Sequence, residues 1–200
     1  AYRDTSALRA FAQSVDVITF EFENIPAETL EMLDTIVAVR PKPSVLFTTR
    51  HRLREKEFIR AQGIATAPFA PVRSEAELAA ALATIGVPSV LKTCEMGYDG
   101  KGQAVVEDRA AAESAWVALG SVRCILEAKL PLDYEISVVL ARGQDGAVRA
   151  FPSAENRHRN GILDVSIVPA WQVDQNAASL ADTACEVAEK LAGCLKYVGT

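Results

Sequence analysis

The sequence is poor in the residues that form metal centres and histidine-dependent catalytic sites. It has only two histidines, His51 and His158, and its four cysteines include no Cys-x-x-Cys pair. A zinc cluster needs several such ligands at short spacing, so we predict none and assign no metal ligand within this chain. The absence of a Gly-x-Ser-x-Gly segment disfavours a Ser/His/Asp hydrolase as well.

The sequence also lacks an excess of basic residues and any long apolar run. Its formal net charge is −5, whereas a nucleic-acid-binding protein normally carries a basic face. No run approaches the roughly 18 apolar residues of a membrane-spanning helix. We therefore expect no nucleic-acid partner and no membrane. The unpaired cysteines predict a cytoplasmic protein with reduced thiols, each of them small and buried. They are Cys94, Cys124, Cys185 and Cys194.

Helical and strand patterns alternate along the chain, which is typical of the α/β (α+β) class. Helices are predicted over 5–14, 26–33, 50–62, 74–86, 110–119 and 176–192. Strands are predicted over 15–22, 36–39, 90–93, 103–106, 124–129, 135–141 and 148–151. The segment Arg40-Pro41-Lys42-Pro43 is the best linker candidate. We therefore predict a partial α/β domain over residues 1–43 and a second domain over 44–200.

A glycine-rich segment between two predicted strands is the most informative motif. Residues 97–103 read Gly-Tyr-Asp-Gly-Lys-Gly-Gln and begin five positions after Lys92. Glycines let backbone N–H groups turn toward an anion, and Lys92 and Lys101 add charges suited to phosphate oxygens. The strand–loop–strand setting excludes a P-loop and a Rossmann dehydrogenase fingerprint, both of which open a helix. The alternative is a hairpin turn, which Asp-Gly between apolar runs also favours.

Several polar residues near predicted strands are further candidates. Glu127 and Glu135 lie at strand edges, where a glutamate is usually only solvated. The cluster Glu155-Asn156-Arg157-His158 follows a predicted strand and is equally typical of a surface loop. A histidine acting as general base needs an orienting partner, so no general base is assigned.

Taken together and in this order, the motifs resemble one family. They are Phe-Glu-Phe-Glu-Asn-Ile-Pro at 20–26, Lys92 with the loop 97–103, Glu-Ile-Ser-Val at 135–138 with Ala141-Arg142, Pro152 with 155–158, and Gly-Ile-Leu at 161–163. Over nearly its whole length the chain is similar to the 5-(carboxyamino)imidazole ribonucleotide synthases, ATP-grasp ligases of purine (IMP) biosynthesis. The resemblance implies an ATP-grasp fold preceded by the end of a Rossmann-like pre-ATP-grasp domain.

The resemblance also implies a reaction and its site. ATP phosphorylates bicarbonate to carboxyphosphate, which carboxylates the amine of aminoimidazole ribonucleotide and yields ADP and phosphate. The implied ATP ligands are Arg52, Lys92, Gly97, Tyr98, Asp99, Gly100, Lys101, Gly102, Gln103, Glu127, Ala128, Lys129, Leu130, Glu135 and His158. The implied ribonucleotide ligands are Glu21, Tyr98, Asp99 and Lys101, with Glu23 as the alternative to Glu21.

Parts of the family's machinery are expected outside these residues. A glycine-rich loop is expected before Ala1, and the magnesium-binding carboxylate and Asn-Glu pair are expected beyond Thr200. We therefore expect these 200 residues alone not to catalyse the full reaction, and the complete protein to be a homodimer. Two alternatives stay open. One is another ATP-grasp carboxylate–amine ligase or carboxylase, and the other is a nucleotide-binding module without turnover.

Overall fold

The computed structural model describes residues 2–97, 100–133, 135–159, 161–170 and 177–200. Its helices are α1 (Thr5–Gln13), α2 (Ala27–Asp34), α3 (Pro43–Thr49), α4 (Arg52–Ala61), α5 (Glu75–Ile85), α6 (Arg109–Ala118) and α7 (Ala177–Cys194). Its strands are β1 (Phe69–Val72), β2 (Ser89–Thr93), β3 (Gln103–Val106), β4 (Cys124–Ala128), β5 (Glu135–Ser137), β6 (Leu140–Arg142), β7 (Val148–Ala150), β8 (Ala154–Arg159) and β9 (Ile162–Ile167).

The chain divides into two compact units. The first unit comprises Ala1–Arg50, Ile136–Glu155 and Ile167–Thr200, and the second comprises His51–Glu135 and Asn156–Ser166. The domain boundary predicted after residue 43 stays a prediction. Within the described ranges, no helix is long and apolar enough to cross a membrane.

The second unit is built on a four-stranded antiparallel sheet with the strand order β1-β4-β2-β3. One face of this sheet packs against α5 and α6 around a buried apolar core that includes Leu78, Leu91, Trp116 and Leu126. Helix α5 begins as the sequence predicts, because the Ser74 hydroxyl accepts a hydrogen bond from the Glu77 N–H (3.2 Å). A further sheet has the order β5-β8-β9.

The first unit has a separate apolar core contributed by α1, α2, α3 and the segments between them. Its members include Ala12, Ile18, Leu30, Val39 and Leu46. Strands β6 and β7 pair antiparallel in the same unit.

Three predicted features of the fold are wrong, and one alternative is excluded. Among the described residues, the predicted strands 15–22 and 36–39 form only one parallel bridge, Ile18 with Val39, so neither extends into a strand. The polar run 155–158 is strand β8 and not a surface loop. Cys194 is exposed and Cys185 is half-buried, so only two of the four thiols are buried as predicted.

Candidate functional site

One face of the four-stranded sheet packs on the apolar core, and the other face carries Lys92 and Glu127 among apolar residues such as Ile125. Leu91 is buried in the core, and its neighbour Lys92 therefore lies on the opposite face. Lys92 pairs in register with Gln103 of β3, and Val90 pairs with Glu127 of β4. This register places Glu127 diagonal to Lys92 on the same face, within reach of a long side chain.

Glu127 is the centre of a buried charge cluster. Its side chain is only 7% exposed, and its Oε2 atom lies 3.1 Å from Lys92 Nζ and 3.3 Å from Lys56 Nζ. A buried carboxylate is stable only when it is paired, and here two ammonium groups share one oxygen. The interpretation of Glu127 as a merely solvated strand-edge residue is therefore wrong.

Lys56 is a member of this cluster that the sequence analysis missed. It lies on α4 four residues after Arg52, and such residues share one face of a helix. That spacing was the available signal in the sequence. The contact itself joins α4 to β4, and no local pattern predicts which helix covers which sheet face.

Arg52 holds the start of the glycine loop. Its Nη1 donates to the Thr93 carbonyl (2.9 Å) and its Nη2 to the Gly97 carbonyl (3.4 Å). Its backbone N–H donates to the Cys94 carbonyl (2.9 Å). Arg52 is half-buried, so the alternative of a freely solvated helix face is wrong for this residue.

Close approach to a short side chain and to backbone requires a glycine at 102, whereas the atoms close to position 97 are the far end of the Arg52 side chain. A Cβ atom on Gly102 would lie 2.7 Å from Thr93 Oγ1 and 3.2 Å from Gly97 Cα, and Gly102 has a φ of +70°. A Cβ atom on Gly97 would lie 2.8 Å from both terminal nitrogens of Arg52. The loop is closed by a hydrogen bond from Thr93 N–H to the Gly102 carbonyl (2.8 Å). The predictions for Tyr98 and Asp99 fall outside the described residues.

The segment from Glu127 to Leu130 leaves few backbone donors for a ligand. The Ala128 N–H donates to the Pro68 carbonyl (2.9 Å), and the Lys129 N–H donates to the Pro88 carbonyl (3.1 Å). An adenine edge at this segment would therefore have to use the N–H of Leu130, which is 48% exposed. The Lys129 side chain points elsewhere, with its Nζ 3.5 Å from Glu107 Oε1.

The structure brings Glu135 and His158 together. His158 Nδ1 and Glu135 Oε2 form a close polar contact in the second unit, and both side chains are partly exposed. His158 thus has the carboxylate partner that the sequence could not reveal. The remaining predicted residue, Glu21, is exposed in the first unit and lines a cavity of about 520 Å³ with Tyr2, Phe20 and Phe22. Glu23 lines a smaller cavity of about 220 Å³, to which Glu21 also contributes.

Chemically, the end of the sheet near the glycine loop suits an anion. Arg52, Lys56 and Lys92 supply three cationic groups, and Glu127 neutralises one charge of them. The surplus is positive in a chain whose formal net charge is −5. A glycine-rich segment beside a surplus of cationic groups suits a phosphate group.

Comparison with known proteins decides the family. The model of the ATP-grasp domain matches residues 57–200, and that of the ribonucleotide synthetase preATP-grasp domain matches residues 1–50. The chain belongs to the ATP-grasp family. The predicted ATP-grasp fold, preceded by part of a pre-ATP-grasp domain, is thereby confirmed.

Individual relatives agree with the predicted resemblance. The chain is 46% identical to N5-carboxyaminoimidazole ribonucleotide synthase of Pseudomonas aeruginosa over 166 residues, which are 83% of this chain and 46% of the relative. It is 39% identical to the Bacillus subtilis enzyme of the same name, over 99% of this chain and 51% of the relative. This ATP-grasp chain therefore spans about half the length of these relatives.

A solved structure gives the same answer. The ADP complex of purK, an N5-carboxyaminoimidazole ribonucleotide synthetase, superposes with a TM-score of 0.92 at 37% identity. The match covers 100% of this chain and 52% of that chain. The resemblance stated from the sequence motifs is confirmed.

Proposed function

We propose that this chain is part of an ATP-dependent carbon–nitrogen ligase that carboxylates aminoimidazole ribonucleotide in purine biosynthesis. Bicarbonate attacks the γ-phosphorus of ATP, ADP leaves, and carboxyphosphate forms. The amine nitrogen of the ribonucleotide then attacks the carboxyphosphate carbon, phosphate leaves, and the nitrogen loses a proton. The product is 5-(carboxyamino)imidazole ribonucleotide. The observation that carries the proposal is the positive sheet end formed by Arg52, Lys92 and the glycine loop.

The candidate ATP ligands have the following proposed tasks. Arg52 and Lys92 neutralise phosphate oxygens, and the loop 97–103 covers them and limits the access of water to the labile acyl phosphate. The Leu130 N–H and nearby carbonyls meet the adenine edge. Glu135 accepts hydrogen bonds from the ribose hydroxyls, with His158 held beside it.

Other parts of the proposal concern ligands further from the described contacts. Glu21, Tyr98, Asp99 and Lys101 bind the imidazole ribonucleotide, through ring stacking and carboxylate–amine hydrogen bonds. Magnesium accompanies the ATP phosphates. The reaction takes place in the cytoplasm, and the complete protein is a homodimer.

The test is ADP formation by the complete gene product that contains this chain, at fixed magnesium and bicarbonate. Three acceptor mixtures are compared: aminoimidazole ribonucleotide, glycinamide ribonucleotide with formate, and biotin. The proposal predicts turnover that requires both the aminoimidazole ribonucleotide and bicarbonate. Turnover with another acceptor would indicate a different ATP-grasp ligase, and ATP binding without turnover would indicate a binding module.

A further inference from the structure

Lys56 is a half-buried cation that the proposed ATP site does not use directly. Its side chain is 19% exposed, and its Nζ lies 3.3 Å from Glu127 Oε2. It also lies over the ring of Phe69, 5.9 Å from the centroid, and Phe69 is the register partner of Glu127 on β1. The position of the Lys56 ammonium is therefore fixed from two sides. Removing an ammonium group from water is costly unless it is paired, and here its partner is the Glu127 carboxylate.

The charge balance of the cluster explains why Glu127 is paired with a second ammonium group. Glu127 Oε2 is shared between Lys56 and Lys92, whose Nζ lies at 3.1 Å. With Lys92 as its only partner, Glu127 would retain Lys92, because moving that ammonium to a phosphate would leave a buried carboxylate unpaired. With Lys56 present, Glu127 stays neutralised when Lys92 turns to another anion.

We propose that Lys56 is a positioning residue that serves as the permanent counter-ion of Glu127 and so releases Lys92 to bind ATP phosphate. The inference rests on the proposed function only in taking ATP as the ligand of Lys92. Lys56 itself need not touch the nucleotide. Its effect is transmitted through one carboxylate, which makes the role separable from simple electrostatic attraction.

The chain offers a matched control in Arg60. This residue lies one turn further along α4 and stacks on the same Phe69 ring, 4.6 Å from the centroid. In the described part of the chain, Arg60 makes no ion pair with Glu127. Removing either residue therefore deletes one positive charge from the same helix face, but only Lys56 deletes a counter-ion of Glu127.

The experiment measures the Kd for ATP by calorimetric titration of the complete gene product with ATP in the presence of magnesium. Lys56→Met is expected to raise the Kd for ATP about tenfold or more, and Arg60→Met less than about threefold. Lys56→Arg, which keeps the charge, should stay within about threefold of the wild type. The double variant Lys56→Met/Glu127→Gln is expected to bind ATP more tightly than Lys56→Met alone, because the neutral amide needs no counter-ion.

The outcomes separate the inference from the proposed function. A wild type that binds no ATP would overturn the proposed function itself. Normal wild-type binding with equal losses in Lys56→Met and Arg60→Met would overturn the inference alone. A double variant that binds ATP more weakly than Lys56→Met would also overturn the inference, since a purely structural role of Lys56 predicts that result. If Lys56→Met does not fold, the comparison of Lys56→Arg with the double variant decides in the same way.

Discussion

Gly102→Ala is the most informative single substitution in the glycine loop. The new methyl group would lie 2.7 Å from Thr93 Oγ1, and that hydroxyl is already held by its hydrogen bond to the Glu95 carbonyl (2.9 Å). It would also lie 3.2 Å from Gly97 Cα, a backbone atom. The loop must therefore shift away from β2, and the hydrogen bond from Thr93 N–H to the Gly102 carbonyl is lost or lengthened.

Two contributions determine how much stability Gly102→Ala removes. Alanine at a positive φ costs about 1–2 kcal/mol, and forcing an extra methyl group into a filled space costs about a further 1–3 kcal/mol. Gly63→Ala isolates the first contribution, because Gly63 has a φ of +72° and no atom within 4 Å of an added Cβ. The difference between the two variants is therefore the cost of the close approach.

The assay measures both stability and ligand affinity. We expect urea unfolding to show a loss of about 1–2 kcal/mol for Gly63→Ala and about 2–5 kcal/mol for Gly102→Ala. Only Gly102→Ala should weaken ADP binding, by about tenfold, because the loop no longer closes over the phosphates. Equal effects of the two substitutions on stability and on ADP affinity would show that the close approach at Gly102 contributes nothing to either.

Two further predictions concern titratable groups. Burial raises the pKa of Cys124 to about 11, so we expect iodoacetamide at pH 8 to modify the exposed Cys194 first and Cys124 only after unfolding, as judged by peptide mass spectrometry. Burial alone would raise the pKa of Asp34, but hydrogen bonds from Lys42 and the Val39 N–H outweigh it and hold the pKa below its ordinary value. Asp34→Asn should therefore cost about 1 kcal/mol at neutral pH, and this difference should disappear as the pH falls below about 4. Urea unfolding at several pH values measures this stability difference, with substitution of the exposed Asp16 by Asn as control. A difference between wild type and Asp34→Asn that persists in acid would contradict the lowered pKa of Asp34.

The sequence predicted the elements that strong local signals define. The strands Ser89–Thr93 and Gln103–Val106 are where β-prone residues place them, on either side of the glycine-rich segment. The sequence did not predict β1, because Phe69–Val72 contains a proline, which this edge strand of the sheet tolerates. Nor did it predict β8, whose residues are mostly polar and lack an alternating pattern.

Part of the candidate site was predictable from the sequence and part was not. The family resemblance implied Arg52, Lys92 and the loop, and in the structure Arg52 contacts the first loop residue. No sequence pattern predicts that Lys56 and Lys92 share one oxygen of Glu127, because that contact depends on how α4 covers the sheet. It could not show the pairing of Glu135 with His158 either, since that contact joins distant parts of the chain.

Hydrogen–deuterium exchange of the complete gene product, with and without ADP and magnesium, tests whether this sheet face is the nucleotide site. We expect ADP to slow exchange in peptides covering β2 with the loop 97–103, the end of β4 at Glu127–Leu130, and the first turn of α4. Aminoimidazole ribonucleotide added afterwards should slow exchange further around Glu21. Protection by ADP that leaves β2, the loop and the end of β4 unchanged would contradict the assignment of this sheet face as the nucleotide site.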